Sequence, residues 1–481
     1  MKTKSRIAEA AAFVLLALVA SYVLVISTAV SFIVRAVMAI IVFAAAGMGI
    51  KRALSLTGSS GLYLLAGKRG LSFIDRISKH NRAFWSSMAM WGFVLGFGVL
   101  SYPLMRGKLS KKLFAFGMLS LVVIFVFVAP YLGYALQFIN ISMIQGSVST
   151  TAPTHTSILT YVLGAVTALF GFSGFAILSM LYSAANIIGS IGSYTVGVLS
   201  GVQGASLSGQ VPGVVPIIPG IDIPLVAGII SLVILLTVHE LSHGILSRLS
   251  RVRLKSMGLL MFGILPIGAF VEPDDKMIKR LAPHQQISIF SAGVAANFVA
   301  MLVFFVLMMF IMLYVAPTTY KYGVFITATT PGYPAYNVIS VGSQVFKWNG
   351  QNVSNISTLD SAASADLPGR PVTVVTSTGT YTLTAVQSPS NSTKGLIGVD
   401  LGYTPIVKGP VASAVYFLYT LFALSMLLNF LVAVFNLLPI PGLDGWSIYN
   451  ASIKNKRLLR CITALVLLVI AINALPWIFY L

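Results

Sequence analysis

Long apolar runs separated by short polar or basic joints dominate this chain. They fall at about 7–27, 30–50, 83–104, 113–136 and 157–181, then at about 223–246, 287–315, 412–438 and 459–480. Each is close to the length that a helix needs to cross a bilayer core. The pattern predicts a polytopic α-helical membrane protein with about 8–10 transmembrane helices. The first two runs predict a tight helical hairpin around Ser27 and Thr28. Residues 182–222, rich in Gly, Ser and Val, predict an extra crossing, a re-entrant piece or an external loop. Only about 316–403 has soluble composition. Apolar and polar residues alternate there at 324–327, 372–375 and 381–384, which predicts strands, with Trp348-Asn349-Gly350-Gln351 as a tight turn.

Composition supports this reading and narrows it. Of 481 residues, 57% are hydrophobic and only 9% charged, more apolar surface than a soluble domain requires. The net charge of +20 sits in short joints between apolar runs, as cytoplasmic anchors do, so it argues for a lipid bilayer and against nucleic acid as partner. One basic joint holds Lys51, Arg52, Lys68, Arg69, Arg76, Lys79 and Arg82, and a second spans 106–112. The two flank run 83–104 and cannot both be cytoplasmic if that run crosses fully, which the sequence leaves open. The single Cys461 excludes an internal disulfide and a cysteine-based metal site. The basic start before run 7–27 lacks a clear cleavage site, which predicts a retained first helix.

Candidate chemistry concentrates in His239-Glu240-Leu241-Ser242-His243, near the end of run 223–246. Two histidines at i and i+4 share one helix face and can reach one cation, and the adjacent glutamate can hold and deprotonate a water. Ionisable groups in an apolar helix are costly and mark function. His239 stands nine residues before Arg248, roughly 13 Å inside that basic helix end. A catalytic zinc needs a third protein ligand and an open position. Of eleven acidic residues, Glu240 is the presumed base, and Glu9, Asp75, Asp360, Asp366 and Asp400 lie far upstream or in the polar stretch. Asp222, Glu272, Asp274, Asp275 and Asp444 remain. Asp444 is favoured: it follows Pro439 and Pro441 at a broken helix end, ten residues before Lys454, at a depth like that of His239. A bent backbone in a bilayer needs protein or a water-filled cavity around it. An aspartate capping a short interfacial helix is the competing explanation.

The paired motifs carry a resemblance. HExxH on a membrane helix, with Asn436, Pro439, Pro441, Leu443, Asp444 and Gly445 matching NxxPxPxLDG, resembles the site-2 protease family of intramembrane zinc metalloproteases. Residues 268–274 and 291–297 resemble archaeal and bacterial members, with Val294 standing where many have proline. The resemblance covers roughly 215–450. It implies one Zn²⁺ per chain on His239, His243 and Asp444, Glu240 as general base, and Asn436 orienting substrate or stabilising the oxyanion. It also implies a PDZ-like α+β domain at 316–403, with Gly323 and Phe325 in a stretch resembling a carboxylate-binding loop and strand. Gly268 and Asn297 are further candidates for contact with substrate.

The implied organisation is an N-terminal accessory transmembrane region at 1–200, a catalytic membrane core at 201–315, the inserted PDZ-like domain at 316–403, and the second part of the core at 404–481. The expected activity is hydrolysis of peptide bonds within or near transmembrane helices, in a multi-pass cell-membrane protein. Its partners would be transmembrane substrates, pre-cleaved so that the PDZ-like domain reads a free C-terminus. Basic residues at 248–255 and 454–457 place the active site nearer the cytoplasmic face and the inserted domain outside. The sequons at Asn352, Asn355 and Asn391 agree with that side. A substrate helix hides its carbonyls and must unwind locally, so the strand-like 266–272 is expected either to pair with it or to form a structural hairpin. A transporter or channel using buried His and Asp is the alternative, although it leaves Glu240 and the inserted domain unexplained. A catalytically silent binding module is disfavoured, since no motif residue is missing.

Overall fold

The computed structural model describes residues 2–26, 32–68, 70–105, 107–136, 158–200, 212–215, 217–220, 222–389, 391–406 and 409–479. The expected turn at Ser27 and Thr28, with Arg69 and Arg106 of the basic joints, lies outside them. Among the described residues, nine helical stretches are long and apolar enough to cross a membrane. They form a polytopic helical protein. The chain divides into two compact units, Met1–Val306 with Thr420–Leu481, and Leu307–Tyr419.

In the larger unit, α1 (Lys2–Ile26) packs on α2 (Phe32–Leu54). The first basic joint is folded: it forms β1 (Gly58–Ser59), β2 (Leu62–Gly67) and the short helix α3 (Leu71–Lys79). Helix α3 buries Leu71 and Ile74, three apart on one face, and leaves Arg76 and Lys79 exposed. A nine-residue amphipathic helix rich in charge is easily mistaken for a loop. Next come α4 (Arg82–Phe97), α5 (Ser101–Leu104), α6 (Lys111–Val123) and α7 (Ala129–Leu136), the last two joined through a π turn at Ile124–Val128.

Helix α8 (Ile158–Leu199) continues through 182–199, where a loop or re-entrant piece was among the expectations. Its small residues are those tolerated in membrane helices. Gly171 kinks it at φ 66°, and a Cβ there would strike the backbone of Gly96, so glycine serves both the left-handed turn and the close approach of α4.

Motif helix α9 (Leu225–Leu249) leads into the antiparallel hairpin β3 (Leu254–Phe262) and β4 (Leu265–Pro273). Strand β2 adds to β3, so the sheet runs β1-β2-β3-β4 and leaves β4 at an edge. The Tyr63 hydroxyl donates to the Gly263 carbonyl at 2.8 Å and pins β2 to the hairpin turn. After α10 (Asp275–Arg280) comes α11 (Pro283–Phe310), extended by a π turn and α12 (Ala316–Thr319).

The smaller unit holds β5 (Lys321–Thr329), β6 (Gln344–Trp348), β7 (Gln351–Asn352), α13 (Ile356–Ala363), β8 (Pro371–Thr376), β9 (Gly379–Thr384), β10 (Val386–Gln387), β11 (Gly395–Leu396) and β12 (Val399–Ile406). Its main sheet is antiparallel in the order β12-β5-β6-β8-β9, with β7 on β6. All three expected strands form. Trp348 pairs with Gln351 across Asn349 and Gly350, both at positive φ, as a tight two-residue turn requires. Inside this unit Asp366 is 5% exposed and accepts from Trp348 Nε1 at 2.9 Å and Asn349 Nδ2 at 2.7 Å.

The larger unit resumes within α14 (Gly409–Asn436) and ends with α15 (Asp444–Ser452) and α16 (Lys456–Ala474). Helices α14 and α4 are its most enclosed crossings, with 67% and 61% of their apolar windows buried. Leu71, Ile74, Ile245, Leu246, Val271 and Ile289 form one apolar cluster that joins α3, α9, β4 and α11 around the end of the motif helix.

Asp366→Ala should leave two donors of the smaller unit unpaired and cost about 1–3 kcal/mol. Hydrogen exchange of 321–406 in the full chain would show it as lost protection. Burial pushes the Asp366 carboxyl up, against the hydrogen bonds from Trp348 and Asn349. A raised folded value makes its stability contribution complete in acid and lost as pH rises through that value. Wild-type protection, corrected for intrinsic exchange, should therefore decline above the ordinary carboxylate range, and Asp366→Ala should remove that slope.

Candidate metal centre

Helix α9 brings His239 and His243 to one face, one turn apart, with ring centroids 4.8 Å apart. Asp444 meets them from the other end of the sequence. Its Oδ2 lies 3.2 Å from Nε2 of each histidine, and the two Nε2 atoms are 3.2 Å apart. Asp444 occupies the first turn of α15 and Leu443 the N-cap, so the aspartate is not serving as that helix's cap.

Three donor atoms at the corners of a near-equilateral triangle suit a cation. Ligands about 2.0–2.1 Å from a tetrahedral zinc stand about 3.3 Å apart, close to the observed edges. Two Nε2 lone pairs aimed at each other repel unless a proton or a metal cation stands between them. Both outer ring nitrogens are engaged. His243 Nδ1 is 2.8 Å from the Ile289 carbonyl, which accepts its proton and leaves Nε2 free to ligate. His239 Nδ1 faces the Asn297 side-chain amide at 3.1 Å, while Asn297 Oδ1 has no partner. Turning that amide over presents Oδ1 to a protonated Nδ1, the arrangement that a ligating His239 needs. Gly293 completes the fit: a Cβ there would come within 2.6 Å of His239 Nε2 and also strike His243. The residues present fit a zinc ion.

Glu240 lies beside them and lines the same cavity of about 250 Å³, along with Val271, Asn436 and Gly442. Its Oε2 accepts the Val271 backbone N–H at 2.9 Å. That N–H therefore points out of the β4 edge and into the site. Asn436 is the last residue of α14, at the cavity wall.

The other acidic candidates are engaged elsewhere. Glu272 pairs with Ser256 at 2.7 Å and Lys255 at 3.4 Å, and the Ser256 hydrogen bond holds its carboxyl below the usual range. Asp274 caps α10 through Lys276 and Met277, Asp275 begins that helix, and Asp222 accepts from the Ile218 N–H. Two residues expected to contact substrate lie as follows. Asn297 sits behind His239 rather than in the cavity. Gly268 is paired with Leu260 in the hairpin, where an added Cβ would meet only ordinary contacts.

Gly323 and Phe325 lie in the smaller unit on β5. That strand pairs with β12 along its length and with β6 at Val324 and Phe325.

Several supports escaped the sequence because they join distant segments. Tyr449, five residues after Asp444, lies 2.9 Å from the Ser173 hydroxyl and stacks edge-on with Phe97. The basic end of α9 is held by Asp75, 2.7 Å from Arg248 Nε, and by Arg82, which donates to the Leu249 carbonyl at 2.9 Å. Neither set shows a local spacing that could have exposed it.

Residues 227–476 match the family model described as peptidase family M50. A protein of Methanocaldococcus jannaschii, described as uncharacterized, is 30% identical over 229 residues. The match covers 48% of this chain and 58% of that relative, so the chain spans little more than half the relative's length. Motif helix, glycine cradle, broken helix and Asp444 all fall inside the matched stretch: the chain belongs to peptidase family M50, the site-2 protease family of membrane metallopeptidases.

Proposed function

We propose that this protein is an intramembrane zinc endopeptidase that cleaves peptide bonds within or near transmembrane helices of other membrane proteins. The observation that carries the reading is the triangle of His239, His243 and Asp444 with Glu240 on the same cavity. Zinc bound there would supply Lewis acidity toward a water and a peptide carbonyl. Glu240 takes the proton of the attacking water and returns it to the leaving amine nitrogen. The Asn436 amide donates to the oxygen that gains charge. The cavity's apolar wall, Ile278, Ile289 and Phe290, limits the water that reaches the reaction.

Substrate recognition follows from the open edge of β4. An unwound stretch of substrate helix finds there the backbone partners it lost, and β-addition would lay its carbonyls beside Glu240. We place the accessory region at 1–200, the catalytic core at 201–315 and 404–481, and a PDZ-like substrate filter at 316–403. The metal and Glu240 lie nearer the cytoplasmic face, with the filter outside, because basic residues follow both motif helices. Substrates carrying a free C-terminus suit such a filter, with Gly323 and Phe325 on β5 as its candidate contacts.

Purified protein should hold about one zinc by elemental analysis. His239→Ala and Asp444→Ala should each lose most of it, and Asn297→Ala should weaken it by about 10–100-fold. Full retention by Asp444→Ala would remove this aspartate from the ligand set. Replacing 316–403 with a short linker should leave the metal in place and alter which substrates are cut.

Cleavage of a tagged membrane peptide in proteoliposomes should fall at least about 10²-fold in Glu240→Gln, with zinc content unchanged. Ala269→Pro removes a backbone donor from β4 and should raise KM more than it lowers kcat. Equal cutting by Glu240→Gln would end the protease reading and favour transport.

Sidedness is tested with single cysteines after Cys461→Ser. Cysteines at Ser250 and Lys454 should resist an impermeant thiol reagent added outside cells, while those at Ser354 and Ser392 should label. The reverse pattern would turn the site outward.

A further inference from the structure

A second cavity lies away from the candidate metal site, in a groove between α15 and α16. It measures about 450 Å³ and is lined by Pro441, Trp446, Lys456, Arg460, Ala464 and Leu467, among others. Its lining is arranged by polarity along α16. Lys456 and Arg460 stand at one end, four residues apart on one face. Ala464 and Leu467 continue that face at i+8 and i+11, after Leu459 and Thr463. Cations therefore sit at the helix start, a small residue opens space below them, and apolar surface follows toward the interior of the crossing. No acidic side chain lines the groove.

The two cations differ. Lys456 Nζ is consumed by the carbonyls of Asn450 and Ile453 and by Asn450 Oδ1, closing the end of α15. Arg460 Nε donates to the Lys456 carbonyl at 3.3 Å, and the side chain is exposed where it lines the groove. A planar fork of donors held beside an apolar channel suits a phosphate with acyl chains below it. Trp446, a residue type favoured at membrane interfaces, lines the groove as well.

We propose that this groove binds one anionic phospholipid, its phosphate on Arg460 and its acyl chain along Ala464 and Leu467. The lipid would lie behind α15, whose first residue is Asp444, and would brace the helix that carries this candidate ligand. The proposal concerns binding and does not depend on the chain being a protease.

The test is native mass spectrometry of the full chain released from nanodiscs of phosphatidylglycerol and phosphatidylcholine. Wild type should retain one phosphatidylglycerol per chain against rising collision energy, with no matching phosphatidylcholine. Arg460→Gln should weaken that retention by about fivefold, the weight of one cation against an anionic surface. Ala464→Phe keeps every charge but fills the channel, and should abolish the one-lipid species while circular dichroism shows an intact helical fold. Equal retention of the two lipids, or wild-type retention by both variants, would overturn the proposal. Weaker binding by Arg460→Gln with full retention by Ala464→Phe would reduce it to general surface attraction and overturn it as well.

Discussion

The structure depends on holding a carboxylate against two imidazoles inside an apolar body. Asp444 is 201 residues from His243, yet its oxygen lies 3.2 Å from both histidine nitrogens. Charge buried in such surroundings is costly unless it is paired or bound to a metal. Position therefore has to be enforced from outside the triangle. Gly293 lets α11 approach the imidazoles, the Ile289 carbonyl and Asn297 orient their outer nitrogens, and the turn at 437–443 delivers Asp444. Gly445 belongs to the same device, since a Cβ there would strike the Leu437 carbonyl on which α15 closes.

The N-terminal region is joined to this machinery through specific contacts. Strand β2 occupies the far edge of the hairpin, α3 packs on the end of α9, and Asp75 reaches Arg248. That ion pair is partly exposed, so its stabilising effect is small, and the buried Leu71 and Ile74 contribute more through apolar burial. From α8, Ser173 supports Tyr449 on the Asp444 helix. Segments outside the family match thus hold both halves of the site from behind.

Legibility divided along a physical line. Transmembrane crossings were readable because a bilayer demands length and apolarity, which are local properties of the sequence. The candidate metal ligands were readable because the i, i+4 spacing is also local, while elimination among the acidic residues left five, of which the broken helix end and the family resemblance favoured Asp444. The smaller unit's strands followed from alternation and its turn from Asn349-Gly350. What stayed hidden depends on distant partners. The basic joint that folds into β2 and α3 acquires its strand only by pairing with β3. Asn297 looked like a substrate contact because its polarity is visible and its neighbour His239 is not. Asn355, the asparagine of one sequon, serves as the N-cap of a capping box on α13 with Thr358, one residue past that sequon, a local role that the sequence also encodes.

Glu240 shows how the fold and the proposed chemistry meet at one hydrogen bond. An edge strand in a membrane protein carries unpaired backbone groups that must be satisfied internally. Here the Val271 N–H finds its acceptor in the Glu240 carboxylate, the group proposed to move the proton. The bond holds the carboxylate at the cavity through one of its two oxygens. A substrate strand added to β4 would compete for the same N–H. Pairing would then turn Glu240 from an acceptor for its own chain into a base for an incoming water. An unwound segment that fails to pair with β4 would leave the carboxylate engaged. On this view, selection for helices that unwind and preparation of the base are consequences of one contact, made by the strand that the hairpin holds at its open edge.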